Sequence, residues 1–176
     1  MALYQEGLVV LPRAALDFQD EWKEENLALC EKLWAGKSLQ ADVLIGRLDA
    51  FIARAEWANS EDHISWKGDV DKHEDNDVSL VFGEQTGIVS HFSFRFDLRS
   101  TNLDFLRRMI DLCQENDLVF LSDQKGVMEA SLEHLPEIIG SSAYSKFLTD
   151  VPSSLPLHLF GQTKIPSHFL CIGQSC

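Results

Sequence analysis

Between Ile88 and Arg99 the chain alternates with a period of two: Ile88, Ser90, Phe92, Phe94, Phe96 and Leu98 interleave with Val89, His91, Ser93, Arg95, Asp97 and Arg99. A strand sends alternate residues to opposite faces, so this run predicts a strand with an apolar wall and a polar face. Upstream, Val78 to Phe82 reads as a strand ending at Gly83, and Glu84-Gln85-Thr86-Gly87 as a hairpin turn with glycine at each side. Ile64 and Trp66 mark a shorter strand, and the polar run Lys67 to Asp77 a loop.

The rest of the chain alternates between helical and strand patterns. Leu8-Val9-Val10-Leu11 before Pro12 suggests a short first strand or an extended segment. Asp17 to Trp34 carries a helical stripe of Phe18, Trp22, Leu27, Cys30 and Trp34, closed by Gly36, with an acidic outer face that includes Glu21, Glu24 and Glu25. Ser38 is placed to cap a second helix through about Trp57, with Val43, Leu44, Leu48, Phe51 and Ile52 on one side. After the strand group, Thr101 reads as an N-cap for a helix bearing Leu103, Phe105, Leu106, Met109, Ile110 and Cys113. Leu118 to Leu121 reads as a buried strand, Asp123 to Gly126 as a turn, and Val127 and Met128 as a short returning strand. Helices are expected from Ser131 to Gly140 and from Ser142 to Leu148.

The expected fold class is α+β: a single domain over residues 1–151, with a mainly antiparallel sheet covered by helices. Its helical part falls at about 13–58 and its sheet and later helices at about 62–149, followed by an irregular extension over 152–176. A chain of 176 residues with 45% hydrophobic content can bury a real core.

Charge restricts the partners. Fifteen Lys and Arg against twenty-eight Asp and Glu give a net charge of −13, which repels phosphate backbones and anionic membranes and attracts a cationic protein. Neither nucleic acid nor membrane is expected as a partner. The start Met1-Ala2-Leu3-Tyr4-Gln5-Glu6 lacks the basic flank and apolar stretch of a secretory signal, so the cytoplasm is the expected location. Cys30, Cys113, Cys171 and Cys176 form no close pair of the kind that serves zinc or redox sites, and Cys30 and Cys113 read as core packing.

The densest cluster of functional groups is Glu61-Asp62-His63 followed by Asp69, Asp71, His73, Glu74, Asp75 and Asp77. An EF-hand beginning at Asp69 would put Glu74 where glycine is required and Leu80 where the bidentate Glu belongs; beginning at Asp71, it would put Phe82 at that last position. A metal-dependent hydrolase would need such acids held on rigid elements, whereas these follow one another along a loop that self-repulsion loosens unless cations screen it. Gly-x-Ser-x-Gly elbows and glycine-rich phosphate loops are absent, and the histidines lack metal-ligand spacing. Neither catalytic residues nor a cofactor are expected. Arg95, Asp97 and Arg99 lie at alternate positions of one strand, as a charge ladder with a neighbour or as a recognition surface.

The succession Trp66-Lys67-Gly68-Asp69, the acidic loop with Asn76-Asp77, the hairpin through Thr86-Gly87-Ile88 and then Phe94-Arg95-Phe96-Asp97-Leu98-Arg99 resembles the small immunity proteins of bacterial polymorphic toxin and type VI secretion systems. The helix and strand after it, and Ser142 to Phe147 with Asp150 and Pro152, extend the resemblance to about residues 60–155. It implies a protein made beside a toxin, which binds that toxin in the cytoplasm and neutralises it. The contact residues expected on this basis are Trp66, Asp69, Asp71, Glu74, Asp75 and Asp77, with Glu21, Glu24 and Glu25 second. Trp66 reads equally well as a core residue at the end of its strand. An acidic chaperone of a secreted effector is the alternative, and a metal-dependent hydrolase a lesser one.

Overall fold

The computed structural model describes residues 5–21, 27–57, 59–72, 74–98, 103–122 and 126–134. Strands β1 (Gln5–Pro12), β2 (Ala53–Arg54), β3 (His63–Lys67), β4 (Asp77–Phe82), β5 (Val89–Asp97), β6 (Leu118–Ser122) and β7 (Gly126–Glu129) form one sheet in the order β2-β3-β4-β5-β1-β6-β7. Every pairing is antiparallel. With helices α1 (Leu27–Lys37), α2 (Ala41–Leu48) and α3 (Asp104–Glu115), this is the expected α+β fold.

The hairpin β4–β5 follows the two alternating patterns. Gly87 adopts φ +64, a left-handed conformation that favours glycine, and its N–H donates to the Gly83 carbonyl at 2.7 Å to close the turn. A register shift between Val81 and Phe82 interrupts the alternation, so Val89 is buried while Phe92, Phe94 and Phe96 hold the inner wall.

The first strand is a central one, pairing with β5 on one side and β6 on the other. Its Leu8 and Val10 join Trp34, Leu44, Leu48, Phe92, Phe94, Met109 and Phe120 in the main core. Each such side chain contributes roughly 1.5–3 kcal/mol by leaving water. Phe94 meets Phe105 and Phe120 edge-on, with centroids 6.0 and 5.4 Å away. On the opposite face, among the described residues, a smaller cluster of Leu11, Ala15, Leu33, Val119 and Val127 covers the β1-β6-β7 end.

Several helical boundaries depart from expectation. In place of one helix over Asp17–Trp34 there is a 3-10 helix at Arg13–Glu21 and, after residues outside the description, α1. Gly36 lies inside α1, which ends where Ser38 takes φ 51 and its hydroxyl donates back to the Ala35 carbonyl at 3.0 Å. Ser38 is therefore a terminator of α1 rather than the cap of α2, whose N-cap position is Gln40. The second helix stops at Leu48, and Val43 is 48% exposed rather than buried. Residues Thr101, Asp123 and most of the two last expected helices lie outside the described residues, and Ser131 to His134 form a turn. Among the described residues no helix is long and apolar enough to cross a membrane.

Candidate functional site

Strand register assembles a row of charge. Lys67 on β3 pairs with Asp77 on β4, and Asp77 with Arg95 on β5, so the three side chains stand beside one another on the same face. Lys67 Nζ lies 2.5 Å from Asp77 Oδ1 and also binds Asp75, while Arg95 binds the other oxygen of Asp77. Burial pulls the Lys67 ammonium down, but hydrogen bonds to Asp75 and Asp77 outweigh it and hold Lys67 above its ordinary value. Arg95 thus forms the charge ladder with its neighbour strand. Asp97 is 3% exposed, and Arg99 lies outside the described residues.

The loop between β3 and β4 is consequently pinned at its base and folded onto itself. The Gly68 N–H donates to the Asn76 carbonyl at 2.7 Å, and the Glu74 N–H to the Asp69 carbonyl at 3.0 Å. Asn76 is buried and its Oδ1 accepts from the Asp97 N–H at 2.9 Å; the Asp75 N–H donates to Asp97 Oδ2 at 3.3 Å. A Cβ on Gly68 would fall 2.0 Å from the Glu74 carbonyl oxygen, so only glycine fits there. At the tip, Val70–Lys72 form a 3-10 turn in which Asp69 accepts from the Asp71 N–H at 3.0 Å and pairs with Lys72 at 2.9 Å. Lys72 holds the exposed Asp69 carboxyl below its usual range.

The loop's charge is therefore screened from within, by Lys67, Lys72 and Arg95. Asp75 and Asp77, each 17% exposed, are occupied as structural ion-pair partners, while the tip presents Asp69, Asp71 and Val70, the last 51% exposed. Glu74 is half-buried.

Trp66 is a core residue, 1% exposed, and so offers a partner no surface. Its Nε1 donates to Asp49 Oδ1 at 2.8 Å, and Asp49 also receives Arg54 at 2.9 and 2.7 Å. Arg54 first, and then Trp66 against a burial penalty, keep the Asp49 carboxyl below its usual range. Glu24 and Glu25 lie outside the described residues, as does the Glu21 side chain.

Register also exposes a polar face that the sequence did not announce. Over β3, β4 and β5 the side opposite the main core carries Ser65, Ser79 and Ser93 in one cross-strand row and His63, Val81 and His91 in the next. His63 Nε2 lies 3.0 Å from Ser79 Oγ and 3.2 Å from Ser65 Oγ, and His91 Nε2 lies 3.1 Å from Ser93 Oγ. His63 Nε2 is thus shared between two hydroxyls, at distances within the range for proton transfer. Burial, and then the facing His63, push His91 down from its ordinary value. Among the described residues no three His, Cys, Asp or Glu side chains are grouped to hold a metal ion. Cys113 is fully buried, with its thiol pushed up by burial, and Cys30 packs beside the smaller core cluster.

Two depressions flank this region. One, of about 420 Å³, lies between the loop, Phe51 and the start of α3, with Asp69, Phe105 and Arg108 in its wall. The other, of about 390 Å³, lies on the sheet face opposite the main core and is lined by Ser65, Ser79, Ser93, Asp77 and Arg95, with Trp57 in its wall. At 60% exposure Trp57 is the most exposed large hydrophobic side chain among the described residues. No family model, curated protein or solved structure matches the chain.

Proposed function

We propose that the chain is an inhibitory binding protein of the immunity type, which neutralises a cationic protein toxin by direct contact in the cytoplasm. The observation that carries this reading is the pinned loop: its base is locked by Lys67, Asp75, Asp77, Arg95 and Asn76, and its tip presents Val70 between Asp69 and Asp71. A loop already ordered before encounter loses little conformational freedom on binding, which is how a small contact surface reaches useful affinity. Asp71, beside an Asp69 already paired with Lys72, adds an exposed carboxylate to a chain of charge −13 and speeds the approach of a basic partner, and an exposed valine adds apolar contact once they meet. Asp75 and Asp77 serve this reading as supports of the loop, with Asp69, Val70 and Asp71 as its contact residues.

The test begins with the protein as bait in the native bacterial lysate, followed by growth of cells expressing the recovered partner with and without it. A toxic partner neutralised by wild type, and neutralised less well when Asp69, Val70 and Asp71 are replaced together by Ser, is the expected result. A harmless secreted partner whose delivery depends on this chain would replace the inhibitor reading with an effector chaperone.

A further inference from the structure

The groove lies on the sheet face opposite the main core. Leu8, Trp66, Val78 and Phe94 contribute backbone only, because their side chains are 2% exposed or less and turn to the main core. On the groove's side stand Ser65, Ser79 and Ser93 in register across three strands, spaced about 4.8 Å apart, with Val9 continuing the row beyond Ser93 and Lys67, Asp77 and Arg95 beside it. The charges cancel, since Lys67 and Arg95 are paired with Asp75 and Asp77. A net-charged ligand meets no complementary excess there. Against this floor stands Trp57, a flat apolar ring 60% open to solvent.

A floor of donors and acceptors beneath one exposed indole complements a neutral ring that has an apolar face and a rim of hydroxyls. We propose that the groove binds a sugar unit of a neutral oligosaccharide, stacked on Trp57 and hydrogen-bonded to the serine row and the Asp77–Arg95 pair. Each serine hydroxyl offers one donor and two acceptor positions, so its bond to His63 or His91 leaves capacity for a ligand. The site shares Asp77 and Arg95 with the base of the acidic loop but none of the loop's contact residues, and it does not depend on the inhibitor reading.

The experiment titrates the full-length, isotope-labelled chain with maltotriose, N-acetylchitotriose or mannotriose, and separately with trilysine and triaspartate, following the Trp57 indole and Ser79 amide signals by NMR. At least one trisaccharide should shift both signals saturably. Trp57→Ala should weaken that binding about tenfold or more, equivalent to roughly 1.4 kcal/mol, with an unchanged thermal midpoint because the ring is exposed. Ser79→Ala should weaken it several-fold, and Asp71→Ser should leave it intact whether or not the loop binds a toxin. Silence towards all three sugars at millimolar concentration, sugar binding that survives Trp57→Ala, or a response to the peptides alone would overturn the proposal.

Discussion

The side chain of Asn76 accepts the backbone N–H of Asp97 at 2.9 Å, tying the last turn of the acidic loop to the end of β5. Asn76 is 6% exposed, so no water replaces it readily when it is removed. Asn76→Ala is expected to cost about 1–3 kcal/mol, the penalty of a buried donor left without its partner. The measurement is urea unfolding: the midpoint should fall with the slope unchanged. Trypsin should also cleave faster after Lys72 as the loop base loosens. A midpoint equal to wild type would mean that the Asp97 N–H finds another acceptor.

The loop's aspartates should separate into two classes. Asp77→Asn leaves Lys67 and Arg95 with weaker partners in a partly buried row, and stability should fall measurably, the more so when combined with Asp75→Asn. Asp71 is exposed and its own N–H is satisfied by Asp69, so Asp71→Ser should stay within about ±0.5 kcal/mol of wild type. Under the inhibitor reading the same Asp71→Ser change slows association and flattens its salt dependence. Equal stability losses for Asp71→Ser and Asp77→Asn would contradict this division.

Glycine offers a paired test of the backbone. Gly68→Ala forces a methyl group against the Glu74 carbonyl, and the fixed loop should make this cost about 1–3 kcal/mol, as overpacking does elsewhere. Gly46 lies inside α2 with open space around its Cβ position, so Gly46→Ala should gain about 0.5–1 kcal/mol from helix propensity. Thermal midpoints moving in opposite directions confirm both; a gain at Gly68 would show that the loop is slack.

Period-two alternation located β3, β4 and β5 and the hairpin between the last two, because a half-buried strand prints its two faces on the sequence. β1 was less legible: Val9, Val10 and Leu11 lack alternation because a central strand is covered on both sides there. The charge ladder of Arg95 was readable, but its partner Asp77 needed the register, which no local pattern supplies. For the same reason the serine row and the His63–His91 pair stayed hidden, each residue looking like an ordinary polar position on its own strand. Trp66 reads both ways for a simpler cause: indole is both a core residue and an interface anchor, and only its burial, with Nε1 donating to Asp49, decides between them. The sequence places Trp57 at the end of a helix, which in the structure stops at Leu48.

His91 gives the stability curve a slope in mildly acid solution. Its half-buried ring is held below its ordinary value of 6.5, first by burial and then by His63 on the same face. The unfolded chain therefore binds more protons than the folded one as pH falls below that ordinary value. The contribution to stability is complete above it, declines as pH falls towards the folded value, and levels off once both states carry the proton. Carboxylates such as Asp49, which are depressed from 3.8, lose their contribution only in stronger acid, so the two effects occupy separate windows. Urea midpoints should fall between about pH 7.5 and about pH 5, the range in which only histidine ordinarily titrates. His91→Gln keeps a polar side chain beside Ser93 while removing the titration, and should flatten that slope. A slope unchanged by His91→Gln would remove that ring as its source.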